Sequence, residues 1–238
     1  MKSKGDWVAL EGPHLILEAL QFGLVLEHVL MTPAFAEREE GRHLAARTTV
    51  LLVAEPVLAS LADADAPQGA LAVARIQRSG VAALPRRVNG VYVYAEGMQD
   101  PGNLGALARS AEAAGATALA LSPGAASPNQ ARALRASAGS LLRFPLAVQV
   151  TPQDLTLHLT DLRPRWVALD PSATEDLYSA DLGGPLVLML GAEGPGLSAD
   201  SLALADVRLR IPVSPPVESL NATVAAAVVL FEIFRRRG

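Results

Sequence analysis

The stretch NGVYVYAEGMQDPGNLGALARSAEAAGATALALS, residues 89–122, decides the fold. Its first eight residues are rich in β-branched and aromatic side chains and read as a strand. A Pro-Gly turn follows, residues 104–114 have helical spacing, Gly115 stops the helix, and TALALS opens a second strand. Strand, loop, helix and strand in one run predict parallel strands joined by a crossover helix. Working outward, further strands are expected at residues 144–150, 166–169, 186–190 and 207–211, with a closing helix over 221–236. The expected fold class is α/β, with a mostly parallel sheet flanked by helices.

Upstream, amphipathic residues 13–22, apolar 24–31, charged 33–46, apolar 49–53, helical 56–61 and apolar 70–76 read as a small α/β domain. Thr32 before Pro33 has the form of an N-cap with proline at the first helical position. We place the small domain at residues 1–78, a linker at 79–87 within QRSGVAALPRR, and the second domain at 88–238.

Half of the 238 residues are hydrophobic, so a sizeable core is available. With no cysteine, disulfides, thiolate catalysis and cysteine-ligated zinc are excluded, and His14, His28, His43 and His158 lack ligand spacing, so no metal is expected. Glu11, Glu18 and Gln21 interrupt any signal-like core, and no long apolar run occurs, which predicts a cytoplasmic protein without a membrane span. The net charge of −4 argues against nucleic-acid binding by bulk electrostatics. A polyanionic partner must meet a local patch, for which Arg86, Arg87, Arg135 and Arg143 are candidates.

Three segments share one design, an apolar strand running into a loop rich in Gly or Pro and then a helix. In MQDPGNLGALAR, Asn103 offers donor and acceptor, and Arg109 reads as buried one or two turns into the helix. A tight turn with Arg109 paired to a carboxylate is an equal reading. In LVLMLGAEGPGLS, Gly191, Gly194 and Gly196 expose backbone groups to a ligand, in the order G-x-x-G-x-G and not that of a dinucleotide fingerprint. A plain connector with a solvated Glu193 is the alternative. In RIPVSPPVESLNATVAAAVVLFEIFRRR, three prolines stiffen the loop, and Ser219 or Asn221 is suited to cap the next helix, which is compatible with a ligand role. The Ala/Val-rich face of that helix calls for close packing on another element or a second subunit, and its terminal arginines complement the helix dipole.

Together, DPGNLGALARSAEAAGA, LMLGAEGPGLS and IPVSPPVESLNATVAAAVVLFE, in this order, resemble the SpoU/TrmH-type RNA 2′-O-ribose methyltransferases of the SPOUT superfamily. RASAGSLLRFPL adds a fourth similar segment, and the first eighty residues, including PQGALAV, resemble the L30e-like RNA-binding domain that often precedes the catalytic one. The resemblance implies a deep trefoil knot near the carboxyl end, a homodimer with its sites near the interface, and S-adenosylmethionine as cofactor. It assigns cofactor binding to Gly191, Glu193, Gly194, Gly196, Ile211 and Leu220.

The catalytic set it implies is Asn103, Arg109, Glu193, Ser219 and Asn221. Asn103 would orient the ribose, Ser219 and Asn221 would position substrate or loop, and Glu193 would fix Asn103 or the loop. Arg109 would clamp the substrate phosphate, because a guanidinium with a pKa above about 12 is ill suited to accept a proton. The implied partner is structured RNA, rRNA or tRNA, with rRNA favoured by the small domain. Ala131, Ala133 and Pro215-Pro216 depart from the family pattern and bear on substrate choice. Two other readings stay open, a non-catalytic RNA-binding or assembly factor and a base-methylating relative.

Overall fold

The computed structural model describes residues 6–237. The small sheet is built from β1 (Trp7–Glu11), β2 (Leu26–Met31), β3 (Leu51–Leu52) and β4 (Ala70–Arg75), interleaved with α1 (Pro13–Gln21), α2 (Pro33–Ala36), α3 (Glu39–Ala45) and α4 (Glu55–Leu61). Its order is β1-β4-β2-β3, antiparallel except for the β2–β3 pair. Thr32 caps α2 as expected, its hydroxyl accepting from the Phe35 N–H at 3.2 Å. The single helix expected over 33–46 is two helices, because the chain folds back until Gly41 touches the Phe35 carbonyl, an approach only glycine permits. β1 has no counterpart among the expected strands, and the strand expected over 49–53 shrinks to the two residues of β3.

The large sheet comprises β5 (Val91–Ala95), β6 (Ala118–Leu121), β7 (Leu146–Ala147), β8 (Arg165–Leu169), β9 (Glu175–Asp176), β10 (Leu186–Leu190) and β11 (Val207–Arg210). All seven strands are parallel, in the order β7-β6-β5-β10-β8-β11-β9. The helices are α5 (Pro101–Ala113), α6 (Ala131–Ala136), α7 (Ser140–Arg143), α8 (Pro152–His158), α9 (Ala199–Ala203) and α10 (Ala222–Arg237). Side chains alternate across the strands, so Val91, Val93, Leu188 and Leu190 face α5 and α10, while Tyr92, Tyr94, Val187 and Met189 face α8 and the α9 side. Burial on both faces explains why β5 and β10 are continuously apolar.

The two sheets share a core, since the buried cluster on the α5 face continues into Val8, Leu10, Ile16 and Ala72 of the small sheet. The chain between the sheets is docked, with Ser79 bridged to Ala147 at the edge of the large sheet. Ion pairs close the seam. Arg135 reaches Glu11 at 2.5 Å and Asp63 at 3.3 Å, and Arg143 pairs with Glu18 and, at 2.7 Å, with Glu112. Arg86 meets Asp161 at 2.6 Å. Three of the four arginines considered for a phosphate patch are thus engaged with carboxylates on facing elements. Arg87 alone of the four has no side-chain partner among the described residues.

The terminal arginines do more than complement a dipole. Arg236 donates to the carbonyls of Leu177, Tyr178 and Ala180, and Arg237 to those of Asn89, Leu182 and Gly184, so α10 is tied to the 177–184 segment. Among the described residues no helix is long and apolar enough to cross a membrane.

Candidate cofactor and substrate site

Ligands of parallel α/β sheets bind outside the carboxyl ends of the strands. All three loops singled out by the sequence leave the large sheet at that edge. β10 is buried along its whole length and ends at Gly191, where a Cβ would overlap the Gly196 carbonyl and the Leu197 N–H. The loop closes on itself through paired hydrogen bonds between Ala192 and Gly196, at 3.1 and 3.0 Å, with Gly194 and Gly196 at positive φ. Turning this tightly sends Glu193 outward.

Glu193 is where the three loops meet. Its Oε1 accepts from the side-chain amides of Asn103 and, at 2.9 Å, Asn221. Asn221 also caps α10, its Oδ1 accepting from the N–H groups of Thr223 at 2.9 Å and Val224 at 3.3 Å. Capping and site-building are thus one role, and Glu193, though exposed as the connector reading expects, ties two amides together. Thr223, a buried hydroxyl with no sequence signal, donates to the Asn103 carbonyl at 3.1 Å. Asp100 caps α5 through the Asn103 N–H at 2.8 Å and pairs with Arg132 at 3.1 Å. An acidic residue directly before Pro101 was the available signal for that cap.

Gly191, Glu193, Gly194, Gly196, Ile211, Ser219, Leu220 and Asn221 line one cavity of about 770 Å³, in the size range of small-molecule sites. Leu169, Leu190, Leu209 and Ala225 supply apolar wall, and loop backbone supplies donors and acceptors. Asp170 and Glu218 place carboxylates around it. The Ser172 hydroxyl, hydrogen-bonded to Asp170, holds that carboxyl below its usual range. Apolar wall, loop backbone and an acidic lining suit an adenosyl group carrying a cation.

Arg109 is not there. It is exposed, contrary to the buried reading, and lines a separate recess with His14, Glu18, Glu112 and Arg143. No hydrogen bond or ion pair engages it among the described residues, so the turn-stabilising reading is corrected too.

The profile of the SpoU rRNA Methylase family matches residues 90–231, and that of the MRM3-like substrate binding domain matches residues 2–72. The chain belongs to the SpoU rRNA methylase family. It is 34% identical over 241 residues to an uncharacterized tRNA/rRNA methyltransferase of Synechocystis sp., spanning 99% of this chain and 86% of that one. It is 41% identical over 145 residues to the 23S rRNA (guanosine-2′-O-)-methyltransferase RlmB of Xanthomonas campestris, spanning 60% of this chain and 57% of the relative. The match therefore covers little more than half the length of that RlmB relative.

Among solved structures, the SpoU methyltransferase AviRb from Streptomyces viridochromogenes, in complex with the cofactor AdoMet, superposes with a TM-score of 0.89 at 26% identity, covering 99% of this chain and 92% of that one. AdoMet-bound rRNA methyltransferase from Sinorhizobium meliloti gives 0.85 at 27% identity, covering 97% and 88%. Within the SpoU framework, the loops joined at Glu193 are the three motifs from which the resemblance was read.

Proposed function

We propose that this chain transfers a methyl group from S-adenosylmethionine to a ribose 2′-hydroxyl of RNA, with rRNA as the substrate class. The observation that carries the reading is the convergence of three distant loops, through Glu193, on one cavity whose walls suit the cofactor. RlmB relatives named for 23S rRNA guanosine 2′-O-methylation support it. The small domain would hold RNA, and a division into residues 1–78, 79–87 and 88–238 is supported by the two profile matches, over 2–72 and 90–231. A cytoplasmic location and the trefoil knot belong to the same proposal.

The cofactor, when bound, supplies an electrophilic methyl group on a sulfonium. Gly191, Gly194, Gly196, Ile211 and Leu220 would hold its adenosyl moiety by backbone hydrogen bonds and apolar contact. Glu193 fixes the amides of Asn103 and Asn221, leaving Asn103 at the cavity edge to orient the ribose, with Ser219 on the wall and its hydroxyl without a hydrogen bond among the described residues. Holding the reactants aligned is worth about 7–11 kcal/mol in intramolecular reactions, enough to account for much of the rate.

Arg109 completes the account through a homodimer. Val224, Phe231 and Phe234 form an exposed apolar stripe on α10, with the two rings edge to face at 6.4 Å. A second copy covering that stripe would supply to the cavity the phosphate-clamping guanidinium its own chain does not place there.

Incubation with labelled S-adenosylmethionine and unmodified rRNA or tRNA tests the reading. Label in rRNA supports it, label in tRNA alone moves the substrate class, and cofactor binding with no transfer to either favours the non-catalytic binder.

A further inference from the structure

Outside the cavity, one recess brings together two charged side chains, Arg78 and Asp6, that form no ion pair among the described residues. It has a volume of about 280 Å³ and lies at the carboxyl end of β6, where Asp6, Arg78, Ser122, Asn129 and Gln149 line it. Arg78 is largely buried with no carboxylate partner among the described residues. Its guanidinium donates to Asn129 Oδ1 at 2.7 Å, to the Leu141 carbonyl at 2.7 Å and, loosely, to the Pro128 carbonyl at 3.4 Å. Burial pushes its pKa down to about 10, so it stays a cation at neutral pH. Asp6 lines the same recess, and its carboxylate has no hydrogen bond or ion pair among the described residues. Gln149 holds a left-handed backbone at φ 57, a conformation that non-glycine residues keep mainly where the surroundings impose it.

The recess adjoins the proposed methyl-transfer site. The Ser122 hydroxyl accepts from the Gly97 N–H at 2.8 Å, and a Cβ on Gly97 would stand 3.1 Å from Ala192, the neighbour of Glu193. One backbone segment therefore separates the two. Along the sheet, β6 and β10 are two strand spacings apart, about 10 Å, within reach of a single nucleotide.

A cation and a carboxylate that do not pair with each other, between apolar Leu121 and Val148 walls, match a ligand presenting an acceptor edge beside a donor edge. Guanine does so, with O6 and N7 accepting from an arginine fork and N1–H and N2–H donating to a carboxylate. Adenine turns an amino group toward the guanidinium and has no N1–H for the carboxylate. A phosphate would satisfy Arg78 but face Asp6. We propose that this recess is a guanine subsite, taking a base of the substrate RNA within one nucleotide of the methylated ribose. The proposal rests on the methyltransferase reading for its substrate and on Asp6 and Arg78 for its preference.

The test titrates the full chain, its cofactor cavity blocked with S-adenosylhomocysteine, with GMP, AMP and inorganic phosphate by ligand-observed NMR. GMP should bind about tenfold more tightly than AMP or phosphate, in line with the discrimination of a bidentate base contact. Asp6→Asn, which breaks no side-chain hydrogen bond or ion pair among the described residues, should abolish the preference and leave S-adenosylmethionine affinity unchanged. Equal binding of GMP and AMP, or a preference that survives Asp6→Asn, would overturn the subsite and leave Arg78 a structural tie. Methyl transfer to RNA is measured on the same preparations. Transfer without base preference removes only the subsite, and guanine preference without transfer removes only the enzyme reading.

Discussion

Glu193 and Asn221, 28 residues apart, meet side chain to side chain at 2.9 Å, and the oxygen that accepts from Asn221 accepts from Asn103 as well. One carboxylate oxygen thus registers the α5 loop, the β10 loop and the start of α10 against each other. Glu193→Gln keeps a carbonyl oxygen that both amides can reach but removes its charge, so two charge-assisted hydrogen bonds become neutral ones. Methyl transfer should fall at least about tenfold, the cost of one charge-assisted hydrogen bond, with the melting temperature little changed at so exposed a position. Single-turnover kinetics beside thermal unfolding checks both halves.

Arg135 belongs to the seam. The Glu11 side chain is only 6% exposed and accepts from Arg135 and from the N–H groups of Asp63 and Ala64. Arg135→Ala leaves that carboxylate short of its cation and should cost about 1–3 kcal/mol, read as a lower denaturation midpoint. The salt dependence of RNA binding should keep its slope, because this arginine meets no phosphate. A slope reduced by about 0.7–0.9 would return Arg135 to the RNA interface.

What was legible in the sequence was local. Residues 91–95, 104–113 and 186–190 carried their structure in apolar runs, helical spacing and a stop glycine, and Thr32 and Asn221 announced their caps, whereas the Pro-Gly pair expected as a turn is the first turn of α5, capped by Asp100. Tertiary context decided the rest. Residues 144–150 are apolar enough for a strand, yet only Leu146 and Ala147 pair with β6, and on their other side stands only the lone bridge to Ser79. Arg109 follows two alanine-rich turns and read as buried, but its place on α5 turns it to solvent. The arginines of 86, 135 and 143 could not be told from phosphate ligands without knowing that Asp161, Glu11 and Glu18 stand opposite them.

Glu232 makes stability depend on pH in acid. Hydrogen bonds from Arg235 and then Arg236 lower its carboxyl pKa to about 2. A folded-state pKa below the unfolded value of about 4.3 means a contribution fully present above that value and lost as pH falls toward 2. The melting-temperature gap between the native chain and Glu232→Gln should therefore be constant above about pH 5, narrow below it and close near pH 2.

The dimer proposal makes the site composite. Arg109→Ala and Glu193→Ala chains should each be inactive alone, and mixing them after co-refolding should restore transfer, since a mixed dimer has one site with both groups intact. Recovery is measured against either variant refolded by itself. No recovery from a mixture shown to contain mixed dimers would place Arg109 and Glu193 in the same chain's site.

The central claim is that the methyl group goes to a ribose oxygen, and alkaline hydrolysis of RNA labelled by this chain tests it most directly. Alkali cleaves RNA through the free 2′-hydroxyl, so a 2′-O-methyl group protects the adjacent phosphodiester. The account predicts label in alkali-stable dinucleotides that yield 2′-O-methylnucleoside on enzymatic digestion. Label released in mononucleotides would mean that the methyl sits on a base, and would contradict it.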